Sequence, residues 1–182
     1  MKSYKAYAKV NIFLKVTGKR GDYHEILSRF VLVNNLYDTL TFVAKKNDDF
    51  VIEGAFNCET EQNTIYKAYR ALYEATGSDS LTRLMQSHAV KVEKKIPSFA
   101  GLGGGSSDAG TLLIGWDGFF ATKLPAAQLL RLAKHLGAEV PFVLLPAFAQ
   151  AVDFNFTDLD GKTYKGADLQ GTPLVINVGA HW

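Results

Sequence analysis

The residues best suited to chemistry fall in one run, Ile96-Pro97-Ser98-Phe99-Ala100-Gly101-Leu102-Gly103-Gly104-Gly105-Ser106-Ser107-Asp108-Ala109-Gly110. Glycines at 101, 103, 104 and 105 do not suit a helix or strand interior, but they let backbone come close to a ligand. Ser106, Ser107 and Asp108 are N-cap and first-turn residue types, and the stretch from Ala109 to Ile114 suits a helix. A glycine-rich loop that opens a helix aims several N–H groups one way, at the positive end of a dipole, which fits phosphate. The two serine hydroxyls add ligands for a phosphate oxygen or a Mg2+ ion. No Gly-Lys-Ser/Thr follows, so the loop is not a Walker A sequence. A dinucleotide fingerprint fits poorly too, because the preceding strand is charged (Lys91, Glu93, Lys94, Lys95) and no acid follows about twenty residues on. By composition alone, a flexible turn before a capped helix is the plain alternative.

Four other places carry usable side chains. Lys9 and Asn11 share a face of an alternating stretch. Phosphoryl transfer is mostly positioning plus neutralisation of spreading negative charge, and a fixed ammonium near an acceptor hydroxyl serves both. Tyr23-His24 sets an aromatic ring beside an imidazole, a combination that suits a pyrimidine, since stacking contributes about 1–3 kcal/mol per base. Asn63 stands where a helix cap is expected, and Glu139 offers a carboxylate before Val140-Pro141. Each has an ordinary structural counterpart: an exposed strand lysine, a surface histidine, a cap, a surface acid.

The elements that must position these residues begin with strand-like alternation over 3–16, with Tyr4, Ala6, Ala8, Val10, Ile12, Leu14 and Val16 on one face. A tight connection over 18–22 follows. Residues 28–44 predict two strands around Asn34-Asn35, and 50–54 a further short one. Asn63-Thr64 caps a helix over 65–76 that stops at Gly77, with Ile65, Ala68, Tyr69, Leu72 and Tyr73 on its apolar face. Residues 81–86 predict a turn of helix and 89–96 a strand delivering the chain to the glycine loop. Helices over 107–120 and from Pro125 to Leu136 follow, the latter closed by Gly137. Strands followed by strands interleaved with helices predict an α+β fold, a mixed sheet with helices on one face.

The chain has 182 residues, 47% of them apolar, which suits one domain, or one and a fragment, with a substantial core. A net charge of +2 gives no basic tract for nucleic acid. A single cysteine, Cys58, excludes an internal disulfide and a cysteine metal site. The first residues, Met-Lys-Ser-Tyr-Lys, start no apolar run, so the expected location is the cytoplasm.

The string Pro-x-x-x-Gly-Leu-Gly-Gly-Gly-Ser-Ser-Asp-Ala resembles the phosphate loop of the GHMP kinases, and the likeness extends over residues 4–142. It implies an ATP-dependent kinase, with Mg2+, acting on a hydroxyl of a cytidine-diphosphate-linked sugar alcohol in isoprenoid biosynthesis. It implies the family's N-terminal domain fold, which is shared with a ribosomal protein domain. Asn63, Pro97, Gly101, Leu102, Gly103, Gly104, Gly105, Ser106, Ser107 and Asp108 would then bind the nucleotide. Ala8-Lys9-Val10-Asn11-Ile12-Phe13-Leu14 resembles the family's opening motif, which implies Lys9 and Asn11 at the acceptor. Asp22-Tyr23-His24-Glu25 is similar to the segment that reads cytosine, although one residue is missing just before it. Glu139 stands where the family has aspartate working with the lysine; the extra methylene moves the carboxylate by about 1 Å, a displacement that can cost roughly 10²-fold in rate.

The likeness to the kinase ends after residue 142, and the family's second domain is expected to be missing from this chain. Residues 1–145 are therefore expected to form the ATP-binding domain and 146–182 a tail. The tail, Asp153 to Val178, resembles the start of a TlpA-type thioredoxin-like protein, with Asp160-Gly161 as a hairpin turn and 174–178 as a strand; it carries no redox cysteine. Residues 143–151 read like the end of a leader with an Ala-x-Ala site. Together these likenesses imply a truncated kinase domain joined to a redoxin leader; one domain whose last hairpin merely resembles that pattern is the alternative. Three function classes follow: a small-molecule kinase, a catalytically silent nucleotide-binding remnant, and an RNA-binding module, the last opposed by the near-neutral charge.

Overall fold

The computed structural model describes residues 3–20, 23–46, 49–120, 124–148, 155–157, 163–165 and 180–181. Its frame is a long antiparallel hairpin, β1 (Ser3–Arg20) against β2 (Tyr23–Ala44). β1 continues past the predicted end at 16. β2 is one strand, not two strands around Asn34-Asn35. Tyr7 pairs with Tyr37 and Ala8 with Val33, so residues 34–36 form a bulge inside a continuous ladder. Asn-Asn has turn chemistry, but the register of the two long strands prevails over it.

β2 pairs antiparallel with β4 (His88–Glu93), and β4 pairs parallel with the short β3 (Ile52–Glu53). The order β1-β2-β4-β3 is a mixed sheet, as expected. Leu40, Phe42, Val90 and Val92 are buried, while Lys91 and Glu93 between them are exposed, so one face is covered.

Helix α1 (Thr64–Thr76) packs on that face. Asn63 Oδ1 accepts the Ile65 N–H at 2.9 Å, and Gly77 closes the helix at φ 58°, a left-handed cap. Ile65, Ala68 and Leu72 are buried, with Tyr69 and Tyr73 partly so. Helix α2 (Asp79–Ser87) is longer than the turn predicted for 81–86, because the Ser78 hydroxyl caps it at the Leu81 N–H. Helix α3 (Gly104–Phe120) starts inside the glycine run rather than at 107, and buries Ala109, Leu112, Leu113 and Trp116. Helix α4 (Ala126–Leu136) follows Pro125 and ends at Gly137. A further helix, α5 (Val140–Phe148), carries residues 143–148 of the leader-like stretch, whose last three residues lie outside the described residues; Val140 and Leu144 join the core.

The outer half of the hairpin departs from the expected half-buried strand. Ala6 and Ala8 are fully buried, but Val10, Ile12, Leu14 and Val16 are 42–58% exposed. Alternation marks a face as apolar without fixing what covers it, and the helical layer covers only the first turns of this one.

In the tail, β5 (Asn155–Thr157) and β6 (Thr163–Lys165) form an antiparallel pair that flanks the predicted Asp160-Gly161 turn. β7 (Ala180–His181) pairs with Tyr23 and His24 of β2. The turn itself and the strand predicted at 174–178 lie outside the described residues. Among the described residues, no helix is long and apolar enough to cross a membrane.

Candidate active site

The glycine loop sits between β4 and α3. Gly101 and Gly103 have φ of 72° and 71°, the left-handed region that glycine enters without strain. The Ser107 N–H donates to the Gly103 carbonyl at 2.8 Å and makes the first turn of α3. The N–H groups of Gly104, Gly105 and Ser106 therefore lie in the turn that helix geometry leaves without intrahelical acceptors. Gly101 is open, with no heavy atom within 4 Å of where a Cβ would stand. These free amides at the positive end of a long helix suit an anionic group.

Two backbone-level contacts fix the loop against its neighbours. The Lys9 N–H donates to the Leu102 carbonyl at 2.9 Å, and Thr64 Oγ1 donates to the Gly105 carbonyl at 2.9 Å. The second places the Asn63-capped start of α1 beside the start of α3. Asn63 itself is 6% exposed and its side chain is occupied as the cap.

Lys9 and Glu139 meet beside Gly103. Lys9 Nζ lies 2.8 Å from Glu139 Oε1, and a Cβ at Gly103 would stand 3.1 Å from Lys9 Cγ and Cε and 3.3 Å from Glu139 Oε2. The glutamate thus reaches the lysine despite its extra methylene. Lys9 Nζ also donates to Asn11 Oδ1 at 2.7 Å. Asn11 Nδ2 donates to Ser28 Oγ at 2.8 Å, and the Ser28 hydroxyl donates to the Phe13 carbonyl at 2.7 Å. The Phe30 ring lies 5.4 Å from Lys9 Nζ and packs on Phe142 of α5, with ring centroids 4.6 Å apart. An ammonium is therefore held between a carboxylate, an amide and an aromatic wall, next to the loop's amides. That arrangement suits stabilising charge on a transferring phosphoryl group and orienting a hydroxyl.

Other predicted residues are placed differently from one another. Pro97 and Gly101 are exposed and Leu102 through Gly104 are half-buried. Ser107 is 1% exposed; its hydroxyl donates to the Tyr7 carbonyl, so both of its polar groups serve the fold. Ser106, half-buried, is the serine left at the loop's surface. Asp108 is 1% exposed and faces inward to Lys94. Tyr23 and His24 open β2, and their side chains lie outside the described residues.

The reading from residue types missed a buried charge cluster under the loop. Lys94 Nζ donates to Asp38 Oδ2 and, at 2.8 Å, to Asp108 Oδ2. Asp38 Oδ1 accepts the N–H groups of Lys95 and Ile96 at 2.5 and 2.8 Å. Burial, with the proximity of Asp38, pushes the Asp108 carboxyl up to about 7 against the pull of Lys94. Burial works against the Lys94 charge, but Asp108 and Asp38 outweigh it and hold its pKa above the usual lysine value. The signal that could have found the cluster is the pair of acids, Asp38 and Asp108, at ends of apolar runs where a buried carboxylate needs a partner.

A glycine-rich loop at a helix start, on a mixed sheet with a lysine on its first strand, is an arrangement suited to a phosphate-bearing ligand. Residues 63–145 match the GHMP kinases N terminal domain. It is 54% identical over 148 residues to the 4-diphosphocytidyl-2-C-methyl-D-erythritol kinase of Sulfurimonas denitrificans, a match covering 79% of this chain and 56% of that one. The kinase of the same name from Sulfurovum sp. is 49% identical over 142 residues, covering 78% and 55%. A crystal structure of 4-(cytidine 5'-diphospho)-2C-methyl-D-erythritol kinase superposes with a TM-score of 0.61 at 34% identity, over 80% of this chain and 49% of that one. The chain spans about half the length of these relatives. The likeness of the tail to thioredoxin-like proteins has no counterpart among these matches.

Proposed function

We propose that the chain is an ATP-dependent kinase for a hydroxyl of 4-diphosphocytidyl-2-C-methyl-D-erythritol, a step of non-mevalonate isoprenoid biosynthesis. The observation that carries this reading is the Lys9–Glu139 pair seated against Gly103 of the phosphate loop. The ATP phosphates fit over 101–106, where the first-turn amides of α3 stand. Asn63 and the start of α1 border the adenine side. Mg2+, beside which Ser106 would stand, would supply charge neutralisation on the phosphates. Among the described residues, no group of three His, Cys, Asp or Glu side chains is arranged to hold a metal ion, and the buried carboxylates are engaged by Lys94.

Glu139 takes up or orients the acceptor hydroxyl proton. Lys9 neutralises the developing charge, and Asn11 holds Lys9 in line. Tyr23 and His24 read the cytosine. No covalent enzyme intermediate is required. The exposed, unpaired Cys58 suits a reducing compartment, and the cytoplasm is the proposed location.

The test is transfer of the γ-phosphoryl group from labelled ATP to the cytidine-diphosphate-linked alcohol. Transfer that disappears in Lys9→Met supports the reading. A second reading, a silent nucleotide-binding domain, is favoured by glutamate at position 139, where the family that the sequence resembles has aspartate. A melting shift with Mg-ATP but no transfer would establish it in place of the kinase, and no shift at all would remove both.

A further inference from the structure

We propose that Lys94, through Asp38 and Asp108, is a positioning residue that staples the two ends of the phosphate loop together beneath it. This rests on the nucleotide reading of the loop. Asp38 Oδ1 takes the N–H groups of Lys95 and Ile96, the last two residues before Pro97, and so fixes where the chain enters the loop. Asp108, in the first turns of α3, fixes where it leaves. Lys94 is bonded to both carboxyl groups and so links entry to exit. It also lies against the loop itself, since a Cβ at Gly104 would stand 3.4 Å from its Nζ.

The cluster is too costly to be incidental. Asp38 is fully buried, Asp108 is 1% exposed, and the Lys94 side chain is 12% exposed. One ammonium faces two acids, so above about pH 7, where Asp108 ionises, a surplus negative charge is held out of water, and below it Asp108 keeps its proton. Asp108 Oδ1 accepts no hydrogen bond. Buried charge of this kind adds little net stability over an apolar filling of the same volume, and its better use is to select one conformation. The conformation selected here is that of a glycine-rich segment with high intrinsic freedom, whose amides must already point together if a polyphosphate is to bind without an ordering cost.

Three measurements test this. In the unaltered chain without nucleotide, the amides of Ile96 and Ser107, one on each side of the loop, exchange hydrogen with protection within about tenfold of each other. A Ser107 amide that exchanges a hundredfold or more faster than that of Ile96 would overturn the staple. Lys94→Met raises exchange at Ser107 at least tenfold relative to Leu72 of α1. It also weakens binding of a non-hydrolysable ATP analogue at least tenfold. Lys94→Met together with Asp38→Asn and Asp108→Leu removes every charge of the cluster along with the staple, while the amide oxygen left by Asp38→Asn still accepts the Lys95 and Ile96 N–H groups. This triple variant melts close to the parent yet shows the same two losses, which a purely structural role would not produce. Parent-like exchange and parent-like affinity in the triple variant would refute the proposal. If the unaltered chain binds no analogue, the nucleotide reading fails, while the exchange measurements still decide the staple.

Discussion

Adding one methyl group to the loop separates its two left-handed glycines by a calculable amount. Gly101→Ala and Gly103→Ala both force an L side chain to φ near 70°, which costs about 1–2 kcal/mol. At Gly101 the new methyl meets nothing within 4 Å, so that cost stands alone. At Gly103 it stands 3.1 Å from Lys9 Cγ and Cε. Lys9 cannot simply swing aside, because Nζ is held by Asn11 at 2.7 Å and by Glu139 at 2.8 Å. Giving way by a few tenths of an ångström strains or breaks one hydrogen bond, about 1 kcal/mol. The pair with Glu139 adds little, since that side chain is 42% exposed and screened by water.

For a chain of this size each kcal/mol moves the melting temperature by about 2–4 °C. Gly101→Ala is expected to lower it by about 2–8 °C, and Gly103→Ala by a further 2–4 °C or so. Thermal melting by circular dichroism reads both. The decisive control is a cycle with Lys9→Ala, which removes the obstructing stem: in that background Gly103→Ala should cost no more than Gly101→Ala. Equal melting of the two glycine variants, or an undiminished gap once Lys9 is truncated, would refute the claim that Lys9 packs on the loop.

Three further outcomes are expected. Asn63→Ala removes the α1 cap and should cost about 1 kcal/mol, read as a melting shift of about 2–4 °C. Glu139→Gln should lower phosphoryl transfer by about 10²-fold or more while changing stability by less than about 1 kcal/mol, checked by steady-state transfer alongside melting. Asp108, raised from 3.8 to about 7 by burial, holds a proton in the folded chain over a range where the unfolded chain has lost it. Its contribution is therefore full below pH 3.8 and is lost as pH rises through about 7, bounded at roughly 4 kcal/mol. Denaturant titrations at pH 5.5 and 8 should show the parent losing stability relative to Asp108→Asn, and equal slopes in the two would contradict the assignment.

What was legible in the sequence is what is set locally. The cap at Asn63, the stop at Gly77 and the glycine loop announce themselves through a few neighbouring residues, whereas the Lys9–Glu139 relation, between residues far apart in the chain, was legible only through resemblance to the GHMP kinases. What was not legible is set at a distance. The Lys94–Asp38 pair spans 56 positions and Asn11–Ser28 spans 17, and neither leaves a periodic trace. The continuous β2 was hidden for a related reason, because Asn34-Asn35 favours a turn and only the partner strand's register makes it a bulge. Helix α5 is apolar all round with two prolines, so no 3.6-residue rhythm marks it. The exposed outer hairpin shows the limit of alternation: Val10 and Leu14 keep the pattern of Ala6 and Ala8 but lie beyond the helices that cover the latter.

The polar chain through the candidate site has a direction that follows from its donors. The Ser28 hydroxyl spends its hydrogen on the Phe13 carbonyl, so toward Asn11 it offers only a lone pair. Asn11 must therefore turn its NH2 to Ser28, which turns its oxygen to Lys9. Lys9, an obligate donor, then has its remaining reach directed between Glu139 and the loop. A backbone carbonyl on β1 thus decides, three side chains away, where the ammonium points. Phosphoryl transfer depends on placement more than on reactivity, and a chain anchored at its far end in the hairpin's own backbone supplies that placement before any substrate arrives.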